Sequence, residues 1–320
     1  MKILFQVIAM LVSGAVAAAA MAQSYPGRPV KLIVPFPPGG SNDVVARAIG
    51  VQLGERLGQS VVIENRGGAG GTIGIDAAAK AAPDGYTLLL ISVAYPMNIA
   101  LGRLPQESIQ SFIPVAMLGS GPSVLVVPAG LAVESVKDLI ALARRRPGEL
   151  NVGSAGIGSF QHFAAELFRI QSGIDVVIVQ YKGGGPALID LLAGQLQVNI
   201  GSLIQILPYV RSGKLKALGV GGSRRNAALP GVPTIAEDGV AGYEANNWWG
   251  ILAPAGTPPA IVGRLRQEIA AILESAEMHK RFELEGAEVA RMSPAEFGRL
   301  VTTETAKWAR VVKDANIRAE

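Results

Sequence analysis

From Val30 onward the chain alternates short β-branched apolar runs with stretches of helical period. That alternation restricts it to a parallel sheet covered by helices on both faces. Strands are expected at 30–36, 61–64 and 87–91, and helices at 43–57 and 72–82, the latter ending at Pro83-Asp84-Gly85. The pattern then breaks: 115–118 and 124–127 read as two short strands split by Gly119-Ser120-Gly121-Pro122. A second cycle follows, with helices at 136–145, 160–171 and 186–193 and strands at 151–152, 176–180, 198–200 and 215–220. Beyond a Pro- and Gly-bearing passage at 230–242 come an apolar run at 247–253 with Trp248-Trp249, helices at 260–273 and 294–310, and a short strand at 288–290.

Two α/β cycles joined by glycine-bearing strands predict a two-lobed α/β protein, each lobe a mostly parallel sheet flanked by helices, with a cleft between them. The first lobe is expected over 24–123 plus 245–320 and the second over 124–244, the C-terminal helices returning to the first. At 320 residues, 49 % apolar and 17 % charged, the chain has the length for two domains and the composition for large cores.

Two strand-to-helix turns carry the strongest local signal. Pro35-Phe36-Pro37-Pro38-Gly39-Gly40-Ser41-Asn42-Asp43 follows the first strand, and Gly153-Ser154-Ala155-Gly156-Ile157-Gly158-Ser159-Phe160-Gln161-His162 follows 150–152. Such turns aim unpaired N–H groups and the positive end of a helix dipole at one place, which suits an anion. Phe36, Gly39, Gly40, Ser41, Asn42 and Asp43 are therefore candidate ligand contacts, as are Ser154, Gly158, Ser159 and His162. A third turn, Gly183-Gly184-Gly185-Pro186 after Tyr181-Lys182, adds Tyr181 and Gly184 at the sheet edge where ligands bind in open α/β folds. Plain alternatives stand beside each. A capped turn needs no ligand, and Asp43 would contact a ligand amine or simply hold its loop. His162 would donate to an anion or be structural, and the tryptophan pair would wall the cleft or pack between strands.

Several classes are excluded. The chain has no cysteine, which removes disulfides, thiolate metal sites and thiol nucleophiles. Its net charge of +4 is spread thinly, with Arg144-Arg145-Arg146 the sole basic cluster, so nucleic acid is not an expected partner. Val152-Gly153-Ser154-Ala155-Gly156 lacks the first glycine of a nucleophile elbow, Gly213-Lys214 lacks the P-loop spacing, and Gly68-Ala69-Gly70-Gly71-Thr72-Ile73 misses the dinucleotide fingerprint. Two scattered histidines argue against a transition-metal site, and no cofactor is expected. At the N-terminus, Lys2, the apolar stretch 3–16 and Ala20-Met21-Ala22 read as an export signal over 1–22 that is cleaved; a membrane anchor is the alternative. A soluble, monomeric protein outside the cytoplasm is expected.

Tyr25-Pro26-Gly27-Arg28-Pro29-Val30, Glu64-Asn65-Arg66-Gly67-Gly68-Ala69-Gly70-Gly71, Pro83-Asp84-Gly85-Tyr86-Thr87-Leu88 and Ala253-Pro254-Ala255-Gly256-Thr257-Pro258 frame the turns in a fixed order. With Gly153-Ser154-Ala155-Gly156, Ser159, His162, Tyr181-Lys182-Gly183 and Trp249-Gly250, this ordered set resembles the Bug family of extracytoplasmic solute receptors, the binding components of tripartite tricarboxylate transporters. The resemblance implies a periplasmic binding protein of type II-like architecture. It would close on a small carboxylate-bearing organic acid and pass it to membrane transporter components, making and breaking no bond. It further implies that the loop 36–43 and the turn 154–162 grip carboxylates through main-chain donors, hydroxyls and waters. Two segments depart from the family pattern: Gly201-Ser202-Leu203-Ile204-Gln205-Ile206-Leu207-Pro208 is short and lacks the usual aspartates, and Gln106-Glu107-Ser108-Ile109-Gln110-Ser111-Phe112 replaces a Tyr-Asp-Pro form. Rival readings are a ligand-loaded partner of a sensor, and an exported hydrolase or isomerase using His162 with Asp43.

Overall fold

The computed structural model describes residues 25–314 and 317; the export signal expected at 1–22 lies outside the described residues. The first cycle runs β1 (Val30–Val34), α1 (Ser41–Leu57), β2 (Val61–Asn65), α2 (Thr72–Ala79), β3 (Thr87–Ser92), α3 (Ala94–Ala100) and β4 (Phe112–Pro128). The second runs α4 (Val136–Arg145), β5 (Asn151–Ser154), α5 (Phe160–Ser172), β6 (Val177–Gln180), α6 (Gly184–Leu192), β7 (Val198–Ser202), α7 (Leu203–Arg211) and β8 (Leu215–Val220). The chain then adds β9 (Asn246–Pro254), α8 (Pro259–Leu273), α9 (Ala276–Leu284), β10 (Glu288–Val289) and α10 (Pro294–Asp314).

Strand order is β2-β1-β3-β9-β4-β7-β5-β6, with β8 and β10 also pairing β4. At one flank β1 pairs β2 and β3 in parallel, and at the other β5 pairs β6 and β7 in parallel. The expected parallel character thus holds for the strand trios that alternate with helices. Between them lies an antiparallel seam of β9, β4 and β8.

The seam corrects one expectation. Residues 112–128 form a single 17-residue strand where two short ones were read across Gly119-Ser120-Gly121-Pro122. The glycines serve packing: a Cβ on Gly119 would stand 2.5 Å from both Glu288 O and the Phe282 ring. Up to Pro122 the strand pairs β9; from Ser123 it pairs β7 and β8. At the handover the Ser123 N–H donates to Ala245 O (2.9 Å), Ala245 N–H to Gly221 O (2.8 Å), and Gly221 N–H to Ser123 O (2.8 Å).

Three helices were not anticipated. α3 follows β3 without an intervening loop, α9 follows α8 after one short turn, and α7 continues past Pro208, whose missing N–H costs the helix one bond. α6 starts two residues before Pro186, using Gly184 and Gly185 as its first turn.

The core falls into three parts. Val45, Ile49 and Leu53 of α1 and Leu265 and Ile269 of α8 cover Leu32, Leu88, Leu90 and Trp249. Leu191, Ile206 and Leu207 cover Val124 and Val126 beyond the handover. A third cluster bridges the two halves, where Phe163 of α5 meets Trp308 of α10 edge-on at 5.1 Å. Trp248 packs on Phe297 at 5.7 Å, and Trp249 is fully buried, so both tryptophans are packing residues.

Gly250 is the tightest point of this packing, since an added Cβ would sit 2.2 Å from Phe297 Cζ. Gly250→Ala should therefore lower the unfolding free energy by about 1–3 kcal/mol. In urea titrations the Gly250→Ala/Phe297→Leu double variant should lose less than the sum of the single losses.

Candidate ligand-binding cleft

Four helices of eight or more residues open toward one cleft between the halves. Gly40 is the N-cap of α1, Ser159 of α5, Gly183 of α6 and Ser202 of α7. First-turn N–H groups have no helical carbonyl to bond, and the dipole adds positive potential there. At α5 the Ser159 Oγ accepts from His162 N–H (3.2 Å), whereas α1, α6 and α7 have no side-chain cap. Gly40, Ser41, Ser159, Gly184 and Ser202 all line one cavity with about 370 Å³ of non-atom space, part of it open to solvent.

The two halves touch around this cavity. A Cβ on Gly183 would lie 2.6 Å from Pro37 Cδ, and one on Gly185 would lie 2.5 Å from Pro38 O. Glycine is what permits the approach. On another side Asn98 Nδ2 donates to Gly158 O (3.1 Å), and Arg103 donates to Ile157 O (2.8 Å).

Of the residues singled out in the sequence, Phe36, Gly40, Ser41, Asn42, Ser159 and Gly184 line the cavity. Six others stand outside the lining, each for a visible reason. The Gly39 N–H donates to Asp43 Oδ2 (3.1 Å), and Asp43 also accepts from Arg47 (2.9 Å) and Asn65 (3.0 Å). Burial alone would raise the Asp43 pKa, but bonds from Arg47, Gly39 and Asn65 outweigh it and hold the carboxyl below its usual range. Asp43 is thus a brace of its loop. Ser154 Oγ accepts from the Gly156 N–H (3.3 Å), and the Gly158 N–H donates to His162 Nδ1 (3.4 Å). His162 is buried, packs edge-on against Phe163, and has Nε2 3.8 Å from Glu166 Oε1. Burial pushes its pKa down, Arg103 adds to that, and Glu166 opposes it. Tyr181 donates to Asp190 Oδ2 (2.6 Å), which pushes the phenol up to about 12. Asp43 and His162 are therefore each engaged on their own loop and form no acid–base pair.

Sequence reasoning missed Ser92, Gln161, Ser202, Gln205 and Asn247, which also line the cavity. Gln161 was within reach, as the second residue of α5. Ser202 and Gln205 lie in the segment that departs from the family pattern, at the carboxyl end of β7 where ligand contacts gather. Asn247 gives no local signal; it arrives from β9 and donates to Ser202 Oγ (3.0 Å) and Ser41 Oγ (3.4 Å).

Among the described lining residues none carries a charge. The serines make up for it. Ser41, Ser159 and Ser202 each accept a protein N–H, and Ser92 accepts from Asn42 Nδ2 and Ala94 N–H (both 3.4 Å). Each keeps its O–H proton free to donate. The cavity is a shell rich in donors, shaped to hold an acceptor-rich group without an ion pair.

A donor-lined cleft between two halves that share one strand is the arrangement of a solute-binding protein. The profile of the tripartite tricarboxylate transporter family receptors (TctC) matches residues 45–317, and the chain belongs to that family. It is 39 % identical over 311 residues to BugT of Bordetella pertussis, covering 96 % of this chain and 95 % of that one. Among solved structures it is similar to Rpa4515 of R. palustris with adipate (TM-score 0.87, 38 % identity, 92 % of this chain and 99 % of that). It is also similar to MatC of Rhodopseudomonas palustris with bound malate (TM-score 0.85, 33 % identity, 90 % and 100 %). The fold is that of α/β periplasmic binding proteins, and the family is one of receptors rather than enzymes.

His162 gives this site a pH signature. Because its folded pKa lies below the ordinary 6.5, the unfolded chain takes up the proton first. Its contribution to stability is complete above 6.5 and is lost as the pH falls below that value. Urea midpoints measured from about pH 7 to pH 5 should decline. His162→Gln, which keeps an acceptor for the Gly158 N–H, should flatten the decline.

Proposed function

We propose that the protein captures a small carboxylate-bearing organic acid in the periplasm, after removal of residues 1–22, and delivers it as a monomer to membrane transporter components. The ligand carboxylate lies between the first turns of α1 and α5, near Gly40, Ser41 and Asn42 on one side and Ser159 on the other. One observation carries this reading: turns from opposite halves of the chain share a cavity in which donors abound and no described lining residue is charged. Each helix terminus contributes only about 0.3–2 kcal/mol to holding an anion. Several termini and hydroxyls must therefore act together, which happens only when the halves are closed. The lobes are assigned to 24–123 with 245–320, and to 124–244; the strand handover at Ser123 and the return at Ala245 support those limits. Adipate with Rpa4515 and malate with MatC support the acid class. No described helix is long and apolar enough to cross a membrane.

Thermal-shift assays with malate, succinate and adipate should raise the melting temperature by several degrees, while their uncharged diamides should not. At a hundredfold excess over Kd the stabilisation is about 2.7 kcal/mol. Gly40 has φ −82°, and an added Cβ would meet only Pro37 O within 4 Å, so the fold tolerates a larger residue there. Gly40→Leu, whose side chain would occupy the cavity, should cut affinity at least about tenfold, and as a poorer N-cap than glycine it should cost the free protein no more than about 1 kcal/mol of stability. Ser159→Ala should also weaken binding and should cost about 1 kcal/mol of stability through the lost cap. NMR of each acid incubated with the protein should show no turnover; a converted acid would sink the receptor assignment.

A further inference from the structure

Resting on the carboxylate-receptor reading above, we propose that Gln161 and Gln205 form a second subsite in the cleft. It recognises an uncharged group on the ligand that both donates and accepts hydrogen bonds, a hydroxyl or a carboxamide. Both side chains line the cavity and are only 5 % exposed. Gln161 Oε1 and Gln205 Nε2 are buried without a hydrogen-bond partner. Buried polar atoms are rarely left so, because each orphan forfeits the hydrogen bonds it had to water. These two belong to side chains that both line the cavity, and together they call for a group that donates to one and accepts from the other.

Gly184 brings the two together. A Cβ at that position would lie 3.1 Å from both Gln161 Nε2 and Gln205 Oε1, and 3.2 Å from Gln205 Nε2. The carboxamides therefore converge on the first turn of α6, and the glycine leaves them room.

The orphans are complementary in kind, one acceptor and one donor. A hydroxyl satisfies both with a single oxygen, donating to Gln161 Oε1 and accepting from Gln205 Nε2. A carboxamide does so with its NH₂ and its carbonyl. A carboxylate accepts from Gln205 but sets an anion against Gln161 Oε1. An ammonium makes the reverse mistake, and among the described lining residues no charge compensates either one. A second carboxylate would accept from the N–H groups of either amide but would face Gln161 Oε1 or Gln205 Oε1 as well. The Gln161 backbone N–H sits in the first turn of α5, so this one residue ties the neutral subsite to the carboxylate cradle.

The test is calorimetry with two length-matched probe sets: succinate, succinamate and 4-hydroxybutyrate, and adipate, adipamate and 6-hydroxyhexanoate. At the better-binding length, the ω-amide or ω-hydroxy acid should bind at least about tenfold tighter than the diacid, the discrimination expected when a mismatched ligand leaves buried polar groups unpaired. Gln161→Leu and Gln205→Leu should bring that ratio within about threefold. Gln161→Glu, which nearly preserves shape and so guards against misfolding of the leucine variants, should improve binding of 4-aminobutyrate or 6-aminohexanoate relative to the unsubstituted protein. A diacid that binds as well as its ω-amide and ω-hydroxy analogues overturns the subsite and leaves the carboxylate reading standing. So does a preference that survives the glutamine substitutions. Failure of all six acids to bind overturns both.

Discussion

One strand belongs to both halves of this molecule, and the cleft depends on it. β4 serves β9 over its first eleven residues and β7 and β8 over its last six, so the two parallel trios are fixed relative to each other by continuous backbone. At the change of partners, Ser123, Gly221 and Ala245 exchange three main-chain hydrogen bonds. Those bonds involve no side chain, so the crossing is held by main-chain groups paired with one another. The halves also meet on either side of the crossing, through the aromatic contact of Phe163 with Trp308 and the glycine-to-proline contacts at Pro37 and Pro38.

The cleft these constraints create is polar but uncharged, and that choice has consequences for a protein that must release what it binds. A buried ion pair carries a large desolvation cost and leaves a stranded charge when its partner departs. N–H groups at helix starts and serine O–H groups are dipoles held in place by the fold, so they lose little when the halves part and water returns. Charge is kept one layer away. Asp43 is neutralised by Arg47, and His162 is held neutral by burial.

Much of this was legible in the sequence because it rests on local rules. Helix α4 falls at 136–145 as read, and the ends of most strands lie within two residues of expectation. The two turns were found because glycine, serine and a following helical period are local signals. What escaped was set by tertiary contact. Gly119 to Pro122 looks like a strand break until Phe282 and Glu288 are placed against it. Asn247 reaches the cavity from β9, some two hundred residues from Ser41, to which it is bonded. Gln205 sits in a helix that its own Pro208 argues against.

Asp43 and His162, both expected from the sequence as ligand contacts, stand in the same relation to their turns. In each turn a glycine with positive φ, Gly39 at 84° and Gly158 at 85°, is followed at once by the N-cap residue. In each, that glycine's N–H donates to the side chain four residues on, Asp43 Oδ2 in one and His162 Nδ1 in the other. The two loops solve the same problem in the same way. A polar residue in a helix's first turn beside an anion site is thus as suited to shaping the donors as to touching the ligand. Here both side chains are bonded within their own turns, and the described residues that line the cavity carry no charge.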